Sequence, residues 1–336
     1  MRTLQSMTLW QRRLTFFVIF GAILLVLLGV SLVLVNSALN NNGVRATSVP
    51  LIADVTVSQF ASLPDDNSYP ESVAVAPDGS VYTGSYATGA IWKITPDGQV
   101  SEVPGTRDGI GAAMGIAVAP DGSLLVVDQK DTDPRTAGGK VVRVLDGNVT
   151  TFADPGFIAP SDVTLDSAGR VYVTDSGKNQ VWRFDADGSN GADWWNSPVT
   201  ASNGSPTPAL TGLAYDAKTD AIIVTDPEIN DIYSVTVKDA KATILYANAD
   251  PDHPAGFNGA TVTPDGTIYV AALGQNGVAK LDNGKLDYIA GLFRGSSDVA
   301  FAAPNHLYVT NFDQSSIVIP MVHPHLPFAL DVITLK

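Results

Sequence analysis

The chain has 336 residues, 45% of them apolar, with 20 basic and 34 acidic side chains and no cysteine. That length supports one large domain with a full core or two ordinary ones, and it excludes a disulfide scaffold or a thiolate metal site. Residues 1–36 hold three arginines and no acid, which leaves 17 basic against 34 acidic side chains in the remainder; so acidic a body lacks the basic footprint that nucleic-acid binding needs.

The first element is "LTFFVIFGAILLVLLGVSLVLV", residues 14–35, which carries no charge. About 20 apolar residues cross a bilayer as a helix. Arg12 and Arg13 stand just before it and the next charge is Arg45. Positive flanks stay cytoplasmic, so a short N-terminus (1–13) is expected inside and the acidic body on the extracellular or periplasmic side. A cleaved signal peptide is the competing reading, although its apolar region runs about 7–15 residues. Residues 36–52 read as a polar stalk.

One pattern then recurs six times: "ESVAVAPDGSVYTGS" from Glu71, "MGIAVAPDGSLLVVD" from Met114, "SDVTLDSAGRVYVTD" from Ser161, "TGLAYDAKTDAIIVTD" from Thr211, "NGATVTPDGTIYVAA" from Asn258 and "SDVAFAAPNHLYVTN" from Ser297. The starts lie 43, 47, 50, 47 and 39 residues apart. Each copy holds a strand, a tight turn such as Pro-Asp-Gly, and a second strand. A third and often a fourth strand follow, as in "KVVRVLD" and "VTTFA". Periods of this length with four strands per unit predict an all-β six-bladed propeller, here over residues 53–320. The sixth copy shows "SIVIPMV" as its third strand and no fourth. "VTVSQFA" (55–61) resembles a fourth strand and is expected to close the last blade. Residues 321–336 are then a C-terminal extension.

In a propeller the innermost strands start on one face near the axis. The first residues, Glu71, Met114, Ser161, Thr211, Asn258 and Ser297, therefore form one ring. The ends of the second strands form another: Ser85, Asp128, Asp175, Asp226, Ala272 and Asn311. Oxygen-rich rings suit a hard cation such as calcium, with Glu71 and Asn258 the credible ligands. Met114, Ser161, Thr211, Ser297, Asp128, Asp175, Asp226 and Asn311 are expected around the pocket. Asp at a strand end also has a common structural use, accepting backbone hydrogen bonds in the next turn. His253, five residues before Asn258, is a candidate general base as well as an ordinary loop histidine. His323 and His325 in "HPHLP" have no third ligand nearby. Trp194 and Trp195 fit inter-blade packing.

The six repeats, "PES" at the first, "PSDV" at the third and "FNG" at the fifth make the chain resemble the gluconolactonase and senescence-marker-protein family, with related strictosidine-synthase-like and paraoxonase-like propellers. The resemblance covers about residues 55–320. It implies a divalent-cation-dependent lactone or ester hydrolase acting on a small molecule at the axis. It also implies a carboxylate ligand from the first blade, which Glu71 matches. Where the family places an Asn in blade four and an Asp in blade five, this chain has Thr211 and Asn258. Ser161 stands where an Asn often faces substrate. The site thus keeps one formal charge, and a non-catalytic binding or scaffold propeller remains the alternative.

Overall fold

The computed structural model describes residues 8–39, 47–133, 136–199, 209–248, 254–319 and 322–336. The N-terminal unit is a helix, Leu9–Leu39. Within it, Arg13–Val35 is long and apolar enough to cross a bilayer, a property that membrane anchors and signal sequences share.

The second unit is six antiparallel sheets of four strands, one carrying a fifth, short strand. Blade one is Pro70–Val75, Val81–Ser85, Ile91–Ile94 and Val100–Glu102, from the axis outward. Blade two is Ala113–Val118, Leu124–Asp128, Lys140–Leu145 and Asn148–Ala153. Blade three is Pro160–Leu165, Val171–Asp175, Gln180–Phe184 and Ala192–Asn196. Blade four is Leu213–Asp216, Ala221–Asp226, Asp231–Thr236 and Ala242–Tyr246. Blade five is Phe257–Val262, Ile268–Ala272, Gly277–Asp282 and Lys285–Gly291. The repeat therefore reads directly as a six-bladed propeller.

Blade six is assembled from both ends of the domain. Its inner strands are Val299–Ala302 and His306–Val309, its third strand is Ala329–Leu335, and its outermost strand is Val55–Ser62. The expectation for the third strand is corrected here. "SIVIPMV" contributes a one-turn helix, Ser315–Val318, and the tail that reads as an extension is part of the sheet. The physical reason lies in the partners. "ALDVITL" is free of proline and pairs on one side with His306–Val309 and on the other with Val55–Ser62, whereas Pro320 has no N–H to give a ladder. The stalk is shortened too: Val49–Pro50 pairs with Ala290–Gly291 at the outer edge of blade five, and Ser48 Oγ donates to Asp331 Oδ2 at 2.5 Å.

The core is a series of apolar clusters between neighbouring blades. Ile91, Ile116, Val126 and Val142 join blades one and two; Val55, Tyr269, Val299 and Ile333 join blades five and six. Trp195 packs on Tyr233 of blade four at 5.2 Å between ring centroids, and Trp194 sits edge-on to Tyr172. Each sheet buries both faces against its neighbours, so the ring is stable only when closed.

Leu330, in the third strand of blade six, is completely buried, whereas Val318 of "SIVIPMV" is 59% exposed. Leu330→Ala should therefore cost about 2–5 kcal/mol through lost burial and a residual cavity. Val318→Ala should stay within about 0.5 kcal/mol. Thermal unfolding midpoints of the two variants check this; the reverse ranking would restore "SIVIPMV" to the sheet.

Candidate functional site

The inner strands begin irregularly, and the irregularity makes the site. Pairing with the second strand is interrupted between Pro70 and Val73, Ala113 and Ile116, Pro160 and Val163, and Phe257 and Ala260. In blades four and six the ladder begins only at Leu213 and Val299. In blades one, two, three and five two residues, the opening residue and the one after it, thus leave the regular ladder, while Thr211 and Gly212 keep backbone bonds to Thr225 and Asp298 keeps one to Thr310. Bulges of this kind terminate pairing and re-aim side chains, often beside functional sites.

Hydroxyls of the second strand and of the preceding blade then satisfy much of this backbone. The Thr174 hydroxyl donates to Thr211 O at 2.6 Å and accepts the Asp162 N–H at 2.9 Å. The Thr225 hydroxyl donates to Asn258 O at 2.5 Å and accepts the Gly212 N–H. Ser297 donates to Glu71 O at 2.5 Å. With the Gly259 N–H donating to Ser297 O at 2.8 Å, four opening-ring carbonyls accept hydrogen bonds across blade boundaries.

The second freed position carries a second ring: Ser72, Gly115, Asp162, Gly212, Gly259 and Asp298. Asp162 Oδ2 accepts the Leu213 N–H at 2.7 Å, and Asp298 Oδ2 accepts the Val73 N–H at 2.8 Å and the Ser72 hydroxyl at 3.1 Å. Ser72 Oγ in turn accepts the Ile116 N–H at 3.0 Å. A Cβ on Gly115 would collide with Asp162, and one on Gly259 with Asp298. The glycine in the preceding blade makes room for each aspartate. Sequence reasoning passed over this pair; the signal was the repeated "SDV" at the openings of blades three and six. Beyond this ring an axial cavity of about 270 Å³ runs between the inner strands, lined by Val73, Ile116, Leu165 and Leu213 together with Asp162 and Asp298.

Glu71 is only 5% exposed. Burial first, then the Asp298 and Asp162 carboxylates, hold its carboxyl well above the usual range, and the Asn258 side chain opposes that shift as a hydrogen-bond partner. The two residues expected as ligands are thus brought together. Asp162 and Asp298 line the cavity and are half-buried. Desolvation pushes Asp162 up to about 7 against the Leu213 and Val163 N–H groups, and raises Asp298, with Asp162 adding to the effect.

Around this floor, Ser161 is 8% exposed and its hydroxyl has no hydrogen-bond partner among the described residues. The Thr211 hydroxyl makes only long contacts, 3.4 Å to Phe257 O and to Thr225 Oγ1. Met114 packs against the apolar cluster of blades two and three, and Ser297 is bonded to Glu71 O and Thr310. The second-strand ends shape loops. Asp128 accepts from the Gly111 N–H, Asp175 from Ile158 and Ala159, Asp226 from Ala209, Glu228 and Ile229, and Asn311 from Arg294. Most of these bonds reach the loop leading into the same blade rather than the next turn. His253 lies outside the described residues.

Tyr86 and Phe312 are two further residues that the sequence did not single out. Their rings meet edge-on at 5.5 Å, and the Tyr86 hydroxyl donates to Thr132 O, so the loops of blades six, one and two are joined. Burial, then Glu71, Asp131 and Asp133, push the Tyr86 phenol up to about 12.

Among the described residues no group of three His, Cys, Asp or Glu is placed to hold a metal ion. A cation here would depend on Glu71, the Asn258 amide oxygen, the Ser161 and Thr211 hydroxyls and water. These are hard oxygen donors, and positive charge would offset the burial and carboxylate repulsion that raise the Glu71 pKa. The donor set fits a calcium-like ion with water completing the shell.

Comparison with known proteins agrees with this architecture. A strictosidine synthase-like, N-terminal family model matches residues 57–94, and an NHL repeat model matches 157–184. No curated protein sequence matches the chain. Similar solved structures include a gluconolactonase from Xanthomonas campestris (16% identity, TM-score 0.62, covering 86% of this chain and 95% of that one). They also include virginiamycin B lyase from Staphylococcus aureus (16% identity, TM-score 0.58, covering 84% of this chain and 100% of that one).

Asp162 gives the site a pH signature. An acid whose folded pKa is raised contributes stability that is complete below its unfolded pKa of about 4 and is lost as pH rises through its folded value. The thermal midpoint should fall between about pH 4 and pH 7, where the cited shift lies. Asp162→Asn should flatten that slope; an unchanged slope would show that Asp162 does not titrate there. These contacts establish a six-bladed propeller, similar in fold to the gluconolactonase and the lyase above, with an acid–amide pair at its axis.

Proposed function

We propose that the propeller is a divalent-cation-dependent hydrolase of a small lactone or ester, acting at Glu71 and Asn258. The observation that carries this reading is the pairing of these two side chains at the axis, with the one opening-ring carboxylate held among hard oxygen donors. Glu71 and Asn258 would hold the cation, which when bound supplies carbonyl polarisation and a water of lowered pKa.

The chain's own groups do the rest. Asn258 orients the Glu71 carboxylate. The Ser161 hydroxyl, without a hydrogen-bond partner among the described residues, donates to the substrate carbonyl or its ring oxygen, and Thr211 borders the same space. Tyr86 and Phe312 brace the rim where blades six, one and two meet and limit water access. Hydrolysis adds water to the carbonyl carbon and breaks the C–O bond, and the proton lost by water returns to the leaving oxygen. His253 is the group that the sequence offers as proton acceptor. In this reading the N-terminus is cytoplasmic, the helix is an uncleaved anchor, and the propeller works on the outer side of the membrane.

A binding or scaffold role is the second reading. It is favoured by the single formal charge at the opening ring and by the carbonyls of Glu71, Thr211 and Asn258 being already engaged.

Metal analysis of the purified protein separates the two. The hydrolase reading expects a stoichiometric divalent ion that Glu71→Gln removes, with lactone-hydrolysing activity falling at least about 100-fold. A metal-free protein, inert on a lactone panel with added calcium, would leave only the binding role.

A further inference from the structure

The face of blade one that packs on blade two carries a cross-strand row of Tyr82, Lys93 and Ser101. At the register of Tyr82 the other five blades place Leu125, Tyr172, Ile223, Tyr269 and Tyr308, none more than 8% exposed. Tyr82 alone of the six is only half-buried. The outermost strand of blade one differs too: Val100–Glu102 has three residues, where the other blades have five or more. So short a strand covers less of its neighbour, and a cavity of about 370 Å³ remains between blades one and two. Gly122 and the Asp146–Gly147 turn border it, and both turns join strands at the end of the propeller opposite the opening ring. The cavity is therefore separate from Glu71 and Asn258.

Its two walls differ in chemistry. Blade two supplies the apolar side chains of Leu124, Val144 and Leu145. Blade one supplies the polar row. The hydroxyls of Tyr82 and Ser101 have no hydrogen-bond partner among the described residues. Lys93 is the one basic residue in the lining, and its ammonium lies 5.7 Å from the centroid of the Tyr82 ring. Its ion pair is a long one, 3.9 Å to Asp78, whose side chain is 64% exposed. So loose and wet a pair contributes little. Of the acids at the cavity, Glu102 is bonded to Arg107 at 2.9 and 3.2 Å, and Asp146 stands in an exposed turn, where water screens it. The charge left without a close partner inside the cavity is positive.

We propose that this inter-blade cavity is a second binding site, for a small flat aromatic carboxylate. The ring lies against Leu124 and Val144, and the carboxylate meets Lys93 and the hydroxyls of Tyr82 and Ser101. An ammonium makes a charge-assisted hydrogen bond to a carboxylate, and two hydroxyls with no other partner can donate beside it. Ligand cavities of this size are mostly apolar with a few placed polar groups, which is the division between these two walls. The walls are facing sheets, so the space between them is a slot that suits a flat ring. The site goes beyond the proposed hydrolase: it lies at the other end of the propeller and takes its ligand whether or not the axis holds a cation.

Equilibrium dialysis of naphthoate against the full chain in phosphatidylcholine nanodiscs tests this. The expected result is saturable, equimolar binding. Lys93→Met should weaken it at least about 10-fold, the loss of one hydrogen bond to a charged group. Ser101 is exposed, so Ser101→Trp fills the cavity without disturbing the core and should abolish binding. Naphthamide, which is neutral, and naphthylmethylammonium, which is a cation, should each bind at least about 10-fold more weakly than naphthoate. No saturable binding to the native chain would overturn the proposal, as would equal binding of the amide or the cation. Binding unchanged in Ser101→Trp would overturn it too, and binding lost in Glu71→Gln would move the probe to the opening ring. Thermal midpoints report whether the variants fold; should Lys93→Met not fold, Ser101→Trp and the amide decide.

Discussion

The constraint on which the molecule depends is ring closure. Each sheet covers one face of the next, so five blades and a gap would leave two large apolar faces in water. Closure rests on the antiparallel pairing of Val55–Ser62 with Ala329–Leu335, which links residues about 280 positions apart in one ladder. Backbone hydrogen bonds give that joint its register, and the burial of Val55, Leu330 and Ile333 supplies its energy. The first strand of the domain thus waits for the last, a non-local topology of the kind that folds slowly.

Closure also positions the axis. The inner strands leave the regular ladder at their openings, and side chains of adjoining blades bond to the backbone there. Thr174, Thr225 and Ser297 donate to the carbonyls of Thr211, Asn258 and Glu71, and Ser72, Asp162 and Asp298 accept the N–H groups of Ile116, Leu213 and Val73. Buried carboxylates serve as acceptors because a charged or shared-proton oxygen makes a strong hydrogen bond to an N–H. The cost is that three acids approach one another where solvation is poor. Glu71 inherits that cost as a raised pKa, and the same strain makes the axis receptive to positive charge.

Periodic features were legible in the sequence. The six repeats, the Pro-Asp-Gly turns and the ring of opening residues follow from spacing alone, and so does the likeness of 55–61 to a fourth strand. Two things were not legible. "SIVIPMV" looks more like a strand than "ALDVITL" in hydrophobicity, and only the partner strand decides between them. The Asp162–Asp298 pair was hidden because its acceptors are backbone N–H groups of other blades, and its partners in sequence are glycines. Glu71 and Asn258 could be matched to roles one at a time, but their contact across the ring needs the closed propeller.

The account predicts that Glu71 and Asn258 are one site for a hard cation. The most direct measurement is anomalous diffraction from crystals of the protein grown with a lanthanide in place of calcium. The expected result is one anomalous peak on the propeller axis within bonding distance of the Glu71 carboxylate and the Asn258 amide oxygen. Crystals with Glu71 and Asn258 still bonded to each other, and no peak at the axis, would contradict it.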